Sequence, residues 1–133
     1  MKLKQKSEFN AEAAELLIRN NNYAPSVHCS YYSVFQLMKV TMKEFIGVDY
    51  DTIDMNVASI KSGEHQYIRN EILNVIRKSD YSEYTRINRS IKELYLIRIA
   101  SDYKNEEINL DKATKANNFS KEVISYIKKK FHV

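Results

Sequence analysis

Residues 84–103, YTRINRSIKELYLIRIASDY, contain the most informative pattern in this chain. Their apolar side chains recur every three or four positions, the spacing that gives a helix one buried face: Tyr84, Ile87, Ile91 and Leu94. The next position on that face is Arg98, whose guanidinium keeps its charge and needs a partner when it is buried. Asp102 lies one turn further along, beside Tyr103. The stretch therefore predicts a long helix with a candidate site near its end.

The composition outside this stretch also favours helices. The chain of 133 residues contains two glycines and one proline, too few for the turns of a sheet-rich fold. Its length suits one domain, which we place over residues 1–133. Hydrophobic residues make up 44% of the chain, enough to build a core and to argue against disorder. We therefore expect a single all-α domain.

Apolar periodicity and helix-ending residues predict five helices and no strand. The first runs from about residue 8 to 20, with Ser7 as its N-cap, and the second is opened by Pro25 and ended by Gly47. The other three lie at about residues 64–78, with Ser62 as a cap, 82–104 and 111–131. Residues 48–63 are mixed and are predicted to contain a short helix at Ile53–Ile60. Short links between long helices favour an up-down bundle of four to five helices.

The predicted core follows one face of each helix. The inward positions are Ala11, Ala14, Leu17, Ile18, Val27, Tyr31, Val34, Met38, Met42, Phe45, Ile68, Ile72 (or Leu73), Val75, Ile76, Ala113, Ala116, Phe119, Val123, Ile127 (or Tyr126) and Phe131.

Several functional classes find no support in the sequence. No apolar run approaches the roughly 20 residues of a membrane span, and MKLKQKSEFN at the start lacks the apolar part of a signal peptide. The one cysteine, Cys29, excludes an intrachain disulfide and fits a reducing cytoplasm. No zinc spacing, calcium loop or glycine-rich phosphate loop is complete, so we expect no metal or cofactor and no membrane partner.

Arg98 and Asp102 admit two interpretations. In the first they form a partly buried ion pair, with the arginine stem covering core surface. In the second they form an anion or phosphate site, for which the fixed fork of guanidinium donors is suited. Asp102 would then orient the guanidinium.

The start of the second helix places His28 beside Tyr31 and Tyr32. The structural interpretation is a core histidine packed against tyrosines. The functional one is an imidazole that faces Arg98 and takes part in acid–base chemistry on a phosphodiester.

Basic residues are concentrated around the turn between the third and fourth predicted helices. The net charge is +4, and the cluster comprises Arg69, Arg77, Lys78, Arg86, Arg89 and Lys92. A solvated surface is one interpretation, and an electrostatic footprint for RNA, with some of the ten tyrosines stacking on bases, is the other. We assign Arg86 and Arg89, together with Tyr31 and Tyr32, as candidate binding residues.

The order of these motifs resembles the HEPN family, in particular its small stand-alone branch. The resemblance spans roughly residues 8–131. It is carried by Tyr31-Tyr32-x-x-Phe35, then His65, then Arg98-x-Ala100-x-Asp102-Tyr103, and finally Ala113, Ala116, Phe119 and Ile127.

The resemblance implies a helical bundle that forms a homodimer, with the two motif helices facing each other across a shared cleft. Many HEPN proteins are metal-independent ribonucleases or toxins whose motif arginine is followed, four to six residues later, by histidine. Arg98 occupies the arginine position, and the position five residues later is Tyr103. A phenol has a pKa of about 10 and is a poor base at neutral pH. The candidate catalytic set is therefore Arg98, Asp102, Tyr103 and, from the second helix, His28.

Three functions follow as hypotheses. The first is a protein that acts on or binds RNA in a toxin–antitoxin or phage-defence setting, with a ribonuclease site shared across a dimer. The second is a non-catalytic dimeric module for a nucleotide or for a minimal nucleotidyltransferase partner. The third is a structural dimer in which Arg98 and Asp102 determine the fold.

Overall fold

The computed structural model describes residues 2–133, which form six α-helices and no strand. The helices are α1 (Leu3–Arg19), α2 (Tyr23–Thr41), α3 (Tyr50–Ala58), α4 (Gly63–Ser79), α5 (Tyr81–Tyr103) and α6 (Leu110–Phe131). One wide π-helical turn, Met42–Ile46, continues α2. The all-helical class is confirmed. The sixth helix is α3, which extends the short helix predicted at 53–60 toward the N-terminus because the Asp49 side chain accepts a hydrogen bond from the Thr52 amide at 2.8 Å.

Helix α2 lies at the centre of the bundle and packs against α1, α4, α5 and α6. Its sequence accounts for this position, because buried residues occur on nearly all of its faces; they include Val27, Val34, Leu37, Met38 and Val40. Helices α5 and α6 pack against each other as well as against α2, and α3 packs on α4. The inner face of α5 therefore meets α2, α4 and α6, and Arg98 on this face lies against α2.

Helix α1 begins at Leu3, five residues before the predicted start, and Ser7 is not its N-cap. Ser7 lies inside the helix, is 4% exposed, and donates a 2.6 Å hydrogen bond to the Ser33 carbonyl of α2. The Ser33 hydroxyl in turn lies 2.9 Å from the hydroxyl of Ser120 on α6. These small polar side chains bring three helices close together, so polar residues that look like a helix boundary are part of the packing.

The end of α2 departs from the predicted apolar face. Phe45 was predicted to point inward, but its side chain is 52% exposed, while Ile46 packs against the core. The π-helical turn has more residues per turn than an α-helix, so positions after Met42 rotate away from the earlier face. Gly47 ends the segment as predicted, in the left-handed conformation with φ of +85° that glycine adopts without strain.

The remaining helix starts follow local hydrogen bonds. Asp80 begins α5 by accepting from the Glu83 amide at 3.2 Å, and Asn109 begins α6 by accepting from the Lys112 amide at 2.9 Å. Ser62 precedes α4 as predicted, but its side chain makes no capping hydrogen bond. Among residues 2–133, no helix has both the length and the apolar content required to cross a membrane.

Candidate functional site

Arg98 lies in the last turns of α5 and is 8% exposed, on the face predicted from the sequence. Asp102, four residues later, is its charge partner: Nε of Arg98 donates to Oδ2 of Asp102 at 3.0 Å. The spacing of four residues puts both side chains on one side of the helix. The buried positive charge is thus compensated within α5 itself.

Three tyrosines surround the rest of the guanidinium. Nη2 of Arg98 donates to the hydroxyl of Tyr32 at 3.2 Å and to that of Tyr103 at 3.4 Å. The guanidinium carbon lies 4.9 Å from the ring centre of Tyr31, within the range of a cation–π interaction. We call these residues, with His28, His65 and Asp102, the Arg98 cluster. Its aromatic walls reduce the access of water to the charge.

One nitrogen of the guanidinium stays open. Nη1 of Arg98 makes no hydrogen bond within residues 2–133. In the same residues, Ser30 Oγ is the only fully buried side-chain polar atom without a partner, so Nη1 is not fully buried. Nη1 therefore reaches solvent. Two N–H donors of a held guanidinium point to a place where an anion can bind.

His28 joins the cluster from α2. Its Nδ1 lies 3.3 Å from Oδ2 of Asp102, the same oxygen that accepts from Arg98. Because a carboxylate oxygen accepts hydrogen bonds, Nδ1 is the donor in this contact, and in the neutral tautomer of the imidazole the lone pair is then on Nε2. The His28 side chain is 52% exposed, so this lone pair is accessible from outside. The arrangement matches a histidine oriented by a carboxylate for proton transfer.

Tyr31 and His65 form the inner part of the cluster. The Tyr31 hydroxyl lies 2.7 Å from Nδ1 of His65, and the His65 ring stacks on Phe35 with centroids 4.0 Å apart. Burial raises the pKa of Tyr31 to about 12. Burial, followed by the positive charge of Arg98, lowers the pKa of His65. Tyr31 is therefore the donor and neutral His65 the acceptor. This hydrogen bond holds the Tyr31 ring, which lies against Arg98.

The structure brings together six of the eight candidate residues and separates two. His28, Tyr31, Tyr32, Arg98, Asp102 and Tyr103 all belong to the cluster. Arg86 lies three turns earlier on α5 and is bound to Glu83 and Glu122. Arg89 lines a separate groove between α5 and α6. Arg86 and Arg89 are thus placed outside the Arg98 cluster.

His65 is a member of the cluster to which the sequence alone gave no role. It lies three residues before Ile68 on α4, whose buried face continues through Ile72 and Ile76. That spacing indicates an inward-facing histidine and was the available signal. Its partner could not be inferred, because Tyr31 is 34 residues away in the chain.

Metal chemistry has no obvious ligand set in the described part of the chain. Within residues 2–133, no three histidine, cysteine or acidic side chains converge as metal ligands. Comparisons with protein-family models, curated proteins and solved structures produced no match to this chain. The HEPN-like interpretation therefore rests on the motif residues of the sequence alone.

Proposed function

We propose that this chain is an RNA-directed protein of HEPN type, which cleaves a phosphodiester bond without a metal ion at the Arg98 cluster. The observation that supports the proposal is the double use of one oxygen. Oδ2 of Asp102 accepts from Nε of Arg98 at 3.0 Å and lies 3.3 Å from Nδ1 of His28. A single carboxylate thus holds a phosphate-binding group and a candidate base side by side.

Arg98 would bind the phosphate through its open Nη1. Its other donors are already held by Asp102, Tyr32 and Tyr103, so little side-chain entropy remains to be lost on binding. Negative charge grows on the phosphoryl oxygens as the phosphorane forms. A fixed cation among aromatic rings stabilises that charge more than a mobile one in water.

His28 would act as the general base. Nε2 takes the proton of a ribose 2′-hydroxyl, the 2′-oxygen attacks phosphorus in line, and the bond from phosphorus to the 5′-oxygen breaks. The leaving 5′-oxygen takes a proton from water, and His28 returns its proton to solvent. The products are a 2′,3′-cyclic phosphate and a 5′-hydroxyl end.

The proposal includes a homodimer, because the family resemblance implies a site that is shared between two copies of the chain. Tyr103 is 70% exposed, and its hydroxyl lies 3.4 Å from Nη2 of Arg98, so it forms an exposed edge of the cluster. A partner copy facing this edge would close the site and bring a second Arg98 and His28. A toxin–antitoxin or phage-defence setting is part of the same proposal, since cleavage of cellular RNA would arrest growth.

The test is cleavage of a fluorescent single-stranded RNA in the presence of a chelator. We expect product with a cyclic phosphate from the parent protein, and a loss of about 100-fold or more in His28→Gln and Arg98→Lys. Arg98→Lys is the sharper variant because it keeps the charge and removes the fork of donors. Unchanged cleavage in both variants would reject the site, provided that their thermal unfolding matches the parent protein.

A second candidate function is a non-catalytic dimeric module that binds a nucleotide or a minimal nucleotidyltransferase. Tyr103 favours it, because a tyrosine stands at the motif histidine position and its hydroxyl accepts from Arg98 at 3.4 Å. A phenol in that role can bind but is a weak base. RNA or nucleotide binding that requires Arg98, with no turnover in the assay above, would favour this function over cleavage.

A further inference from the structure

A groove separates α4 from α5 on the side of the bundle next to the Arg98 cluster. Its volume is about 600 Å³, and its lining includes the buried Leu73 and the half-exposed Leu96. The lining residues that matter here are three cations, three amides and two tyrosines: Arg69, Arg77, Lys92, Asn70, Asn74, Asn88, Tyr84 and Tyr95. The groove thus combines positive charges with aromatic rings and amides.

The cations of the groove have no acidic partner. Arg69, Arg77 and Lys92 form no salt bridge within residues 2–133, and the neutral Asn74 side chain accepts the hydrogen bond from Nη2 of Arg77 at 3.0 Å. Glu71 is the one acidic residue in the lining. By contrast, Arg86 outside the groove contacts two carboxylates. The groove thus keeps a positive charge that an anionic chain would complement.

The aromatic rings connect the groove with the Arg98 cluster. Arg69 lies over the ring of Tyr95 at 5.2 Å, and the Tyr95 ring lies 6.2 Å from that of Tyr31. The Tyr31 ring centre in turn lies 4.9 Å from the guanidinium carbon of Arg98. Tyr84 lies eleven residues before Tyr95 on the same helix, about 16 Å away along the axis. The groove therefore extends along α5 from Tyr84 to Tyr95, which lies about one helical turn before Arg98.

We propose that this groove binds the single-stranded RNA that flanks the phosphate at Arg98, a step that rests on the proposed function. The cations take backbone phosphates, the two tyrosines take bases by stacking, and the asparagines pair with base edges. A length of about 16 Å admits no more than about five nucleotides, even at the 3.4 Å spacing of a stacked strand. Duplex RNA is disfavoured, because its paired and stacked bases cannot reach the rings.

Fluorescence anisotropy with a 2′-O-methyl oligonucleotide of about twelve nucleotides tests binding alone, because the probe has no 2′-hydroxyl to attack. The test variant is Arg77→Ala/Lys92→Ala, which removes two exposed cations of the groove. The control is Arg19→Ala/Lys128→Ala, which removes two exposed cations elsewhere. We expect about tenfold weaker binding in the test variant and less than twofold in the control. The slope of log K against log salt concentration should fall by about 1.4 in the test variant, since each lost contact contributes about 0.7.

Tyrosine variants provide the second measurement. The test variant is Tyr95→Leu, and the control is Tyr126→Leu. Tyr126 is a matched position because it is also half-buried and lies under an arginine, but outside the groove. We expect weaker binding only in Tyr95→Leu. Equal weakening in the test and control variants of either pair would overturn the proposal that the groove binds RNA. An affinity for a duplex or for a polyglutamate peptide equal to that for the single strand would overturn it as well.

The cleavage assay separates this inference from the function on which it rests. If Arg98→Lys abolishes cleavage while Arg77→Ala/Lys92→Ala binds and cleaves RNA like the parent protein, RNA binding by the groove is rejected and cleavage at the Arg98 cluster is supported. If the groove variants lose RNA binding while no preparation cleaves RNA, RNA binding by the groove is supported and catalysis is rejected.

Discussion

Nδ1 of His28 lies 3.3 Å from Oδ2 of Asp102, although 74 residues separate the two in the chain. The contact exists because α2 and α5 pack together near the first turns of one and the last turns of the other. Arg98 shares the same oxygen. The stability of the cluster, its response to pH and the packing that holds it each lead to a measurable outcome.

The first prediction concerns the ion pair. Asp102→Asn should lower the free energy of unfolding by about 1–3 kcal/mol, because Arg98 then keeps a buried charge without a charged partner. The cost stays below that of a fully enclosed pair, since the Asp102 side chain is 20% exposed. Urea unfolding of Arg98→Met, Asp102→Asn and the double variant measures the coupling. Strictly additive costs would contradict an interaction between the two residues.

The second prediction concerns pH. The pKa of His65 is lowered in the folded protein, so the unfolded chain binds more protons at mildly acidic pH. Stability should therefore fall as pH drops below about 6.5, the ordinary histidine value, and level off below the folded pKa. His65→Gln, which keeps an acceptor for Tyr31, should reduce the loss of melting temperature between neutral and mildly acidic pH. His132→Gln, at an exposed histidine, serves as control; an unchanged pH dependence in His65→Gln would refute this account.

The third prediction concerns the contact of α2 with α6. Ser120→Leu should destabilise the protein by about 1–3 kcal/mol, because Ser120 is 2% exposed and lies against Ser33 with no room for a larger side chain. Ser125→Leu, at an exposed position of the same helix, should change the unfolding free energy by less than about 0.5 kcal/mol. Comparable costs in the two variants, measured by chemical unfolding, would mean that the helices are not in such close contact.

The fourth prediction concerns the π-helical turn. Met42→Ala should cost about 2–4 kcal/mol, because Met42 is 0% exposed, whereas Phe45→Ala should cost clearly less, because Phe45 is 52% exposed and keeps an edge contact with Phe131. An uninterrupted α-helix would bury both residues and give similar costs. Thermal or urea unfolding of the two variants distinguishes these cases.

Much of the fold was predictable because it depends on local pattern. The α5 face ending in Arg98 and the α6 face through Val123 and Ile127 are buried as expected. Phe45 and Ser7 were not predictable. The position of Phe45 depends on a single wide turn, and that of Ser7 on a contact with Ser33 from another helix. Periodicity reports on neither.

Most of the helices, and the location of Arg98 and Asp102 on one face of α5, could be predicted from the sequence, because they follow from spacings of three and four residues along one helix. The groups that surround Arg98 and Asp102 depend on how the helices pack. His28, Tyr31, Tyr32 and His65 come from two other helices, and their distances to Arg98 and to one another depend on how those helices pack. The same packing placed Arg86 against Glu122 instead of in the cluster. Contacts between distant segments are set by the burial of whole helix faces, which no local spacing records.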